Sequence, residues 1–324
     1  MSPATTTTFA VTNRIPEAAV ELLREAGEVR LDEREQAIPR TELLELVAGA
    51  DAALTLLHDR VDEELLEAAG PRLRCIANVA VGYDNVDLNA AARHGVVVTN
   101  TPGVLDDATA DLTWALILAA TRRLCEGDRL VRSGRSWSWG MSFMLGSSLR
   151  GKLLGIVGLG GIGRRVAERA RAFGMEVAYH SRQGAPAEVE AALGAERMPL
   201  ERLLAEADVL SLHCPLTPQT HHLIGSEELE AMKASAVLIN AARGPIVDER
   251  ALAAALAAGR IAGAGLDVYE HEPRVEPALL ELDNVVLVPH LGSATVETRT
   301  AMAELAARNA IAVSRGEAPL TPVS

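Results

Sequence analysis

Leu153 to Arg182 reads LLGIVGLGGIGRRVAERARAFGMEVAYHSR. An apolar run, Leu153 to Val157, leads into Gly158-Leu159-Gly160-Gly161-Ile162-Gly163. Val166, Ala167, Ala170 and Phe173 then recur at helical spacing, and a second apolar run, Met175 to Tyr179, follows. Strand, tight turn, helix and strand within about 30 residues is the context in which G-x-G-x-x-G reads as a dinucleotide-binding turn. Gly158 permits the turn. Gly160 lacks a Cβ, so the backbone can approach a pyrophosphate, and Gly163 lets helix and strand pack closely. The free N–H groups at the helix start, with the positive end of its dipole, bind the phosphates. Leu159, Gly161 and Ile162 complete that cofactor-facing turn. Protein kinases place the same glycine spacing before a strand. Here a helix follows, and the chain has no H-R-D or D-F-G triplet, so that reading is set aside.

At 324 residues the chain exceeds a usual single core, which predicts two domains. Hydrophobic residues at 48% with 23% charged are those of an ordinary globular protein. Aromatics are only 3%, so the cores must be built from Ala, Leu, Val and Ile. A net charge of −13 argues against a nucleic-acid or anionic-membrane partner. Cys75, Cys125 and Cys214 are odd in number and widely spaced, which predicts a reducing, cytoplasmic setting and no zinc site. The start, MSPATTTTFAV, has no basic segment before an apolar core and does not read as a signal peptide. No apolar run reaches membrane-spanning length; the richest is Leu112 to Ala120.

Outward from the glycine turn, both flanks alternate strand and helix signals. On the N-terminal side, strands are expected at Thr8–Thr12, Val29–Leu31, Ala52–Leu57, Arg74–Val79 and Val96–Thr99, and helices at Pro16–Ala26, Arg40–Ala48 and Asp62–Ala69. Repeated βα units imply a small parallel sheet, and without a glycine fingerprint it has no dinucleotide site of its own. Thr101-Pro102-Gly103 marks a crossover. Asp107–Arg122 reads as a long apolar helix suited to burial, against another subunit among the options. Ser133–Ser148 is irregular and holds Trp137, Trp139, Met141 and Phe143. It reads either as a loop anchored by its own aromatics or as one reaching a partner subunit. Beyond the turn, strands are expected at Val209–His213, Ala236–Asn240, Ala264–Val268 and Val285–Val288, with helices at Ser226–Met232, Arg250–Ala258 and Thr295–Ser314. The last helix is expected to pack back on the N-terminal domain.

Open parallel sheets bind ligands beyond the carboxyl ends of their strands. Arg243, Glu272 and His290 all fall there. A guanidinium can hold a substrate carboxylate or keto oxygen by paired hydrogen bonds. An imidazole can give a proton to a carbonyl oxygen as hydride arrives, and a carboxylate can hold it in one tautomer and keep it protonated. Taken singly, each has a duller reading as a surface arginine, a turn carboxylate or a core histidine. Their convergence at strand ends of one dinucleotide domain favours the trio. His213, His221 and His222 lack a third ligand at useful spacing, so no metal site is expected.

At these residues the chain resembles the D-2-hydroxyacid dehydrogenase family. The resemblance rests on NVAVGYDNVDLNAAARHGVVVTNTPGVLDDATAD at 78–111, GLGGIG, INAARGPIVDERAL at 239–252, GAGLDVYEHEP at 263–273 and PHLGSAT at 289–295. Within the family it is most similar to glyoxylate/hydroxypyruvate reductases. The resemblance implies an α/β fold of two Rossmann-like domains, one flavodoxin-like and one dinucleotide-binding, with parallel sheets and an active-site cleft between them. Residues 1–100 plus 292–324 would form the substrate-binding (catalytic) domain and 101–291 the NAD(P)-binding domain. Arg243 would bind the substrate, and His290 would be the acid/base paired with Glu272. The backbone of Val79, Ala80, Val81 and Gly82 would bind the substrate carboxylate, with Leu57 beside it. Thr109, Cys214, Pro215, Ala241, Ala242, Asp267 and Gly292 would line the cofactor. A homodimer is implied through the region holding Asp107 to Ser148, with Trp139 the nearest match to a tryptophan that reaches the neighbouring active site. The activity implied is reduction of glyoxylate or hydroxypyruvate to glycolate or D-glycerate. The alternatives are a phosphoglycerate or bulkier 2-ketoacid dehydrogenase, and a cofactor-sensing, corepressor-like binding protein. The chain ends at Ser324, with no room for the regulatory domain many phosphoglycerate enzymes append, and the first of these is ranked lower for it.

Cofactor choice follows from the second strand's end. NAD-specific sheets place Asp or Glu there to bind the ribose 2′-OH. This chain has Ser181 and Arg182 instead. A hydroxyl and a guanidinium suit a 2′-phosphate, which predicts NADP(H) as preferred cofactor and leaves NAD(H) as the alternative.

Overall fold

A computed structural model describes residues 6–323. The first five residues of the N-terminal stretch read above, and Ser324, lie outside the described residues. The chain divides into two units: one takes it up to Leu105 and again from Ala294, the other spans Asp106–Ser293.

The first unit alternates β1 (Thr8–Val11), α1 (Glu17–Ala26), β2 (Glu28–Leu31), α2 (Arg40–Val47), β3 (Ala52–Thr55), α3 (Glu63–Ala69), β4 (Cys75–Asn78), α4 (Leu88–Arg93) and β5 (Val97–Thr99). Its five strands are all parallel, in the order β2-β1-β3-β4-β5. That is the flavodoxin-like winding. β1, β3 and β4 are buried throughout, as continuous apolar runs covered on both faces must be. Asp62 and Asp87 cap α3 and α4 by accepting from the backbone N–H of Leu65 and Ala90. The helix α4 carries a clear cap signal and was absent from the sequence expectation.

The second unit opens with α5 (Asp106–Thr121) and α6 (Leu124–Arg132), then runs β6 (Leu153–Val157), α7 (Gly161–Ala170), β7 (Glu176–His180), α8 (Ala187–Leu193), β8 (Ala195–Arg197), α9 (Leu200–Glu206), β9 (Val209–Leu212), α10 (Ser226–Ala231), β10 (Val237–Asn240), α11 (Glu249–Ala257), β11 (Gly263–Leu266), α12 (Pro277–Leu280) and β12 (Val285–Leu287). The seven strands are parallel, in the order β12-β11-β10-β9-β6-β7-β8. The chain winds one way from β6 to β8, then crosses back to β9 and winds the other way. The switch point therefore falls between β6 and β9, where a doubly wound sheet opens a crevice at its carboxyl edge.

The apolar helix α5 spends its side chains inside this unit. It packs on α7, β10 and β11. Trp114 is buried, donates its indole N–H to the Val166 carbonyl at 3.0 Å, and stacks on Phe173 with ring centroids 4.3 Å apart. Its burial thus needs no neighbouring subunit. The chain then breaks at Arg123, in left-handed backbone at φ 53°, and restarts as α6. That helix buries none of its residues. Segment 183–206, unassigned from sequence, supplies α8, β8 and α9. After Ser293 the chain returns to the first unit as α13 (Val296–Ser314), capped by Thr295 and packed on α1, β3 and β4. Among the described residues no helix is long and apolar enough to cross a membrane.

Candidate active site

Because β10, β11 and β12 are neighbours and parallel, the residues after their carboxyl ends come together although far apart in sequence. Arg243 follows β10, Asp267 and Glu272 follow β11, and His290 follows β12.

His290 sits in left-handed backbone, φ 52°. That region is uncommon for a side chain other than glycine and costs about 1–3 kcal/mol. Its neighbours hold it there. The His290 N–H donates to the carbonyls of Asp267 (2.9 Å) and Val288 (3.1 Å). The Asp267 carboxylate, 1% exposed, accepts the N–H groups of Leu291 (2.5 Å) and Gly292 (2.8 Å). Burial raises the Asp267 carboxyl above the usual range, opposed by the Leu291 N–H, the nearby His290 and the Gly292 N–H. A side chain at Gly292 would begin 3.2 Å from that carboxylate and 3.3 Å from the Thr109 methyl. Thr109, Asp267 and Gly292, all expected to line the cofactor, are thus gathered in one place.

Glu272 bridges the same turn. One carboxylate oxygen lies 2.9 Å from His290 Nδ1, and the other accepts the Tyr269 N–H at 3.1 Å. Burial pushes the Glu272 carboxyl up. The hydrogen bond and charge of His290, the Tyr269 N–H and the Arg243 guanidinium outweigh it, leaving the group below its ordinary range. It is therefore a carboxylate at neutral pH. Bonded at Nδ1, the ring presents Nε2 as its second polar atom. The Tyr269 hydroxyl donates to the Val288 carbonyl at 2.9 Å, tying the Glu272 turn to the strand that carries His290.

Arg243 is placed by Asn240, a buried amide at the end of β10. Asn240 Nδ2 donates to the Arg243 carbonyl at 2.9 Å, and Oδ1 accepts the Ala242 N–H at 3.1 Å. At the next residue, Gly244, a Cβ would fall 1.8 Å from the Tyr269 carbonyl carbon. Only glycine lets the arginine turn lie against the Glu272 turn. A reciprocal clasp supports both: Glu249 N–H donates to Glu270 (2.9 Å), and Glu270 N–H donates back to Glu249 (2.5 Å). His222 Nε2 lies 3.0 Å from the Glu270 carboxylate. Asp267 as a backbone clamp, Tyr269 and the Glu249–Glu270 clasp were not foreseen. An acidic residue directly after a buried strand was the available signal for the first.

Gly158 to Gly163 occupy the end of β6 and the start of α7, beside the switch point. Gly158 has φ 97°, and a Cβ there would meet the Cys214 nitrogen at 2.7 Å. At Gly163 a Cβ would fall 2.2 Å from the Gly158 carbonyl oxygen. At Gly160 it would meet nothing within 4 Å. The protein itself forbids a side chain at the first two positions but not at the third. A missing Cβ at an open position fits a cradle whose occupant comes from outside. Ser181, after β7, accepts the Leu159 N–H on its hydroxyl at 3.0 Å, joining the glycine turn to the second strand's end. Cys214 and Pro215 follow β9, and Ala241 and Ala242 follow β10, on the same carboxyl edge.

Other expected site residues belong to the first unit or to other parts of the second. Leu57 follows β3, and Val79–Gly82 follow β4, at the carboxyl edge of the first unit's own sheet. Two of the four N–H groups expected to meet a carboxylate are engaged inside that unit: Val79 donates to the Thr55 carbonyl and Ala80 to the Asn78 carbonyl, each at 2.8 Å. The Asn78 and Asn100 amides fasten the turn by donating to the Gly82 and Val81 carbonyls. Trp139 is 78% exposed. Its segment lines a cavity of about 540 Å³ with Arg129 and Asp283, near the start of β12, whereas His290 follows the end of that strand. His213 is partly buried, and desolvation pushes its imidazole down to about 3, with Nε2 2.8 Å from the Ser211 hydroxyl. Its ring is neutral at pH 7. Among the described residues no cluster of His, Cys, Asp and Glu could hold a metal ion.

A doubly wound sheet with a glycine turn fit for a dinucleotide, and an imidazole–carboxylate pair beside a guanidinium on the same edge, is the equipment of a nicotinamide-dependent oxidoreductase. The chain belongs to the D-isomer specific 2-hydroxyacid dehydrogenase family, whose NAD binding domain it matches over residues 114–292. It is 51% identical to the glyoxylate reductase of Thermococcus onnurineus over 318 residues, 97% of this chain and 95% of that one. Among solved structures, the TT0316 protein of Thermus thermophilus superposes with a TM-score of 0.91 at 47% identity, covering 98% of this chain and all of the other. An NADPH-dependent glyoxylate/hydroxypyruvate reductase from Sinorhizobium meliloti, in complex with NADP and malonate, gives 0.85 at 36% identity, covering 99% and 97%.

Proposed function

We propose that this chain reduces glyoxylate to glycolate, and hydroxypyruvate to D-glycerate, with NADPH as its preferred reductant. A reduced nicotinamide dinucleotide, held by the 158–163 turn with Ser181 and Arg182, would supply the hydride to C2 of the ketoacid. His290 Nε2 gives the carbonyl oxygen its proton, so hydride and proton together complete the hydroxyacid. Glu272 holds the imidazole at Nδ1 and compensates its charge. Arg243 grips the substrate carboxylate and polarises the keto oxygen. Leu57 and the 79–82 backbone are assigned to substrate binding on the resemblance alone.

The observation that carries this reading is the 2.9 Å contact between His290 and Glu272, with the Arg243 charge acting on the same carboxylate. The identity to glyoxylate reductases supports the substrate class. For the cofactor, the support is Ser181 and Arg182 where an NAD site has a carboxylate, and the NADP bound by the Sinorhizobium meliloti relative. The three free thiols fit a cytoplasmic enzyme. Leu124, Val131, Trp137, Trp139, Met141 and Leu145 are each more than half exposed and contiguous along α6 and the segment after it. Apolar surface of that extent marks an interface, and the occupant proposed is a second copy of the chain, whose active site Trp139 reaches.

The test is a steady-state assay of glyoxylate, hydroxypyruvate and pyruvate with NADPH and NADH. Glyoxylate and hydroxypyruvate should be turned over, at higher kcat/KM with NADPH. Arg182→Ala should raise KM for NADPH more than for NADH. Tight cofactor binding with no turnover of any 2-ketoacid would point instead to a cofactor-sensing protein.

A further inference from the structure

Beyond the glycine turn and the pair Ser181 and Arg182, a second basic residue reaches the end of β7. We propose that Arg197, on the edge strand β8, is a specificity-determining residue for the cofactor. It covers the main-chain carbonyls after β7, so that this strand end receives a ribose 2′-phosphate rather than a 2′-hydroxyl. The inference rests on the NADPH reading above.

Arg197 pairs in register with Tyr179 of β7. One guanidinium nitrogen of Arg197 donates to the Ser181 carbonyl at 3.0 Å and to the Arg182 carbonyl at 2.9 Å. The other terminal nitrogen lies 3.5 Å from where a side chain at Gly184 would begin, so the guanidinium lies along the whole turn. Uncovered, two carbonyl oxygens at this point would accept from a ribose hydroxyl and repel a phosphate dianion. The guanidinium reverses both effects: it occupies the acceptors and brings a positive charge. Among the described residues no carboxylate lies within ion-pairing distance of Arg197. Its neighbours are spent elsewhere, Glu196 on Arg202 and Glu190 on the Tyr179 hydroxyl. The Ser181 hydroxyl is meanwhile anchored to the Leu159 N–H. One basic residue therefore sets the strand end that the glycine turn leans on, and Arg182, exposed beside it, adds the second charge.

The experiment is calorimetric titration of the intact protein with NADPH and with NADH, without substrate, for the wild type, Arg197→Met, Arg197→Lys and Arg182→Ala. Arg197→Met should weaken NADPH by about tenfold or more, the worth of one charge-assisted contact, and change NADH by less than about twofold on the same scale. Arg197→Lys keeps the charge but loses the fork, and should fall between. Thermal midpoints check that all four proteins fold. Equal weakening of both cofactors would reduce Arg197 to a structural role and overturn the inference, as would no change in either. A wild type that prefers NADH, with a ratio unmoved by Arg182→Ala, would defeat the NADPH reading itself. A wild type that prefers NADPH, with a ratio unmoved by Arg197→Met, would defeat this inference alone.

Discussion

Two turns of the second unit use left-handed backbone, one at Gly158 with φ 97° and one at His290 with φ 52°. The first follows β6 and the second follows β12, on the same edge of one sheet. At Gly158 the strain is avoided, because the residue has no side chain to clash. At His290 the strain is accepted and held, because the side chain is needed. The Asp267 carboxylate and carbonyl hold the three N–H groups of 290–292, so the cost falls on a buried neighbour. A turn that receives a ligand sheds side chains. A turn that presents a reactive group requires a clamp.

The largest break of this contrast is at the presented group. His290→Ala should lower kcat for glyoxylate by about 10²–10⁴-fold, the worth of a positioned acid, while the cofactor dissociation constant stays near the wild-type value. Rapid single-turnover kinetics with a parallel cofactor titration measure both; a loss below about tenfold would remove His290 from the acid role. Next comes the clamp. Asp267→Ala leaves two N–H groups without their partner, about 1–3 kcal/mol each. It should lower kcat while the imidazole itself remains, together with a fall in thermal midpoint. Normal turnover in that variant would show that the His290 turn needs no clamp.

The glycine turn should break differently at its two kinds of position. Gly163→Ala drives a Cβ to 2.2 Å from a carbonyl oxygen. It should cost stability, about 1–3 kcal/mol as for overpacking, before any ligand is added. Gly160→Ala meets nothing in the protein. It should leave the free protein's melting unchanged and weaken NADPH by about tenfold. If both variants melt alike and bind alike, the distinction between a fold glycine and a ligand glycine fails.

How far these features were legible in the sequence differs between the two turns for the same reason. The glycine turn announces itself because its constraint is local: strand, turn and helix lie within one short stretch. The strand ends bearing Arg243, Glu272 and His290 could be found from the alternation of apolar runs and turn signals. What joins them could not. Asp267 acts across 24 and 25 positions on Leu291 and Gly292, and the Glu249–Glu270 clasp spans 21. Such pairs have no spacing rule to betray them. α6 was missed although Leu124, Leu130 and Val131 share one helical face, because it is only nine residues long, holds Gly127 inside it and follows directly on α5. The apolar content of α5 was seen, but a single sequence does not tell burial within a unit from burial between subunits.

The account turns on Glu272 keeping His290 ready to give a proton. The carboxyl is held below its ordinary range, so it is charged at neutral pH and loses that charge only on acidification. The most direct measurement is the pH dependence of kcat/KM for glyoxylate reduction, wild type beside Glu272→Gln. The variant keeps an acceptor for Nδ1 but not the charge. The account predicts an acid limb in the wild type, where the rate falls as pH drops through the depressed range of the Glu272 carboxyl, and a lower rate without that limb in Glu272→Gln. A limb at the same pH in both proteins would contradict it.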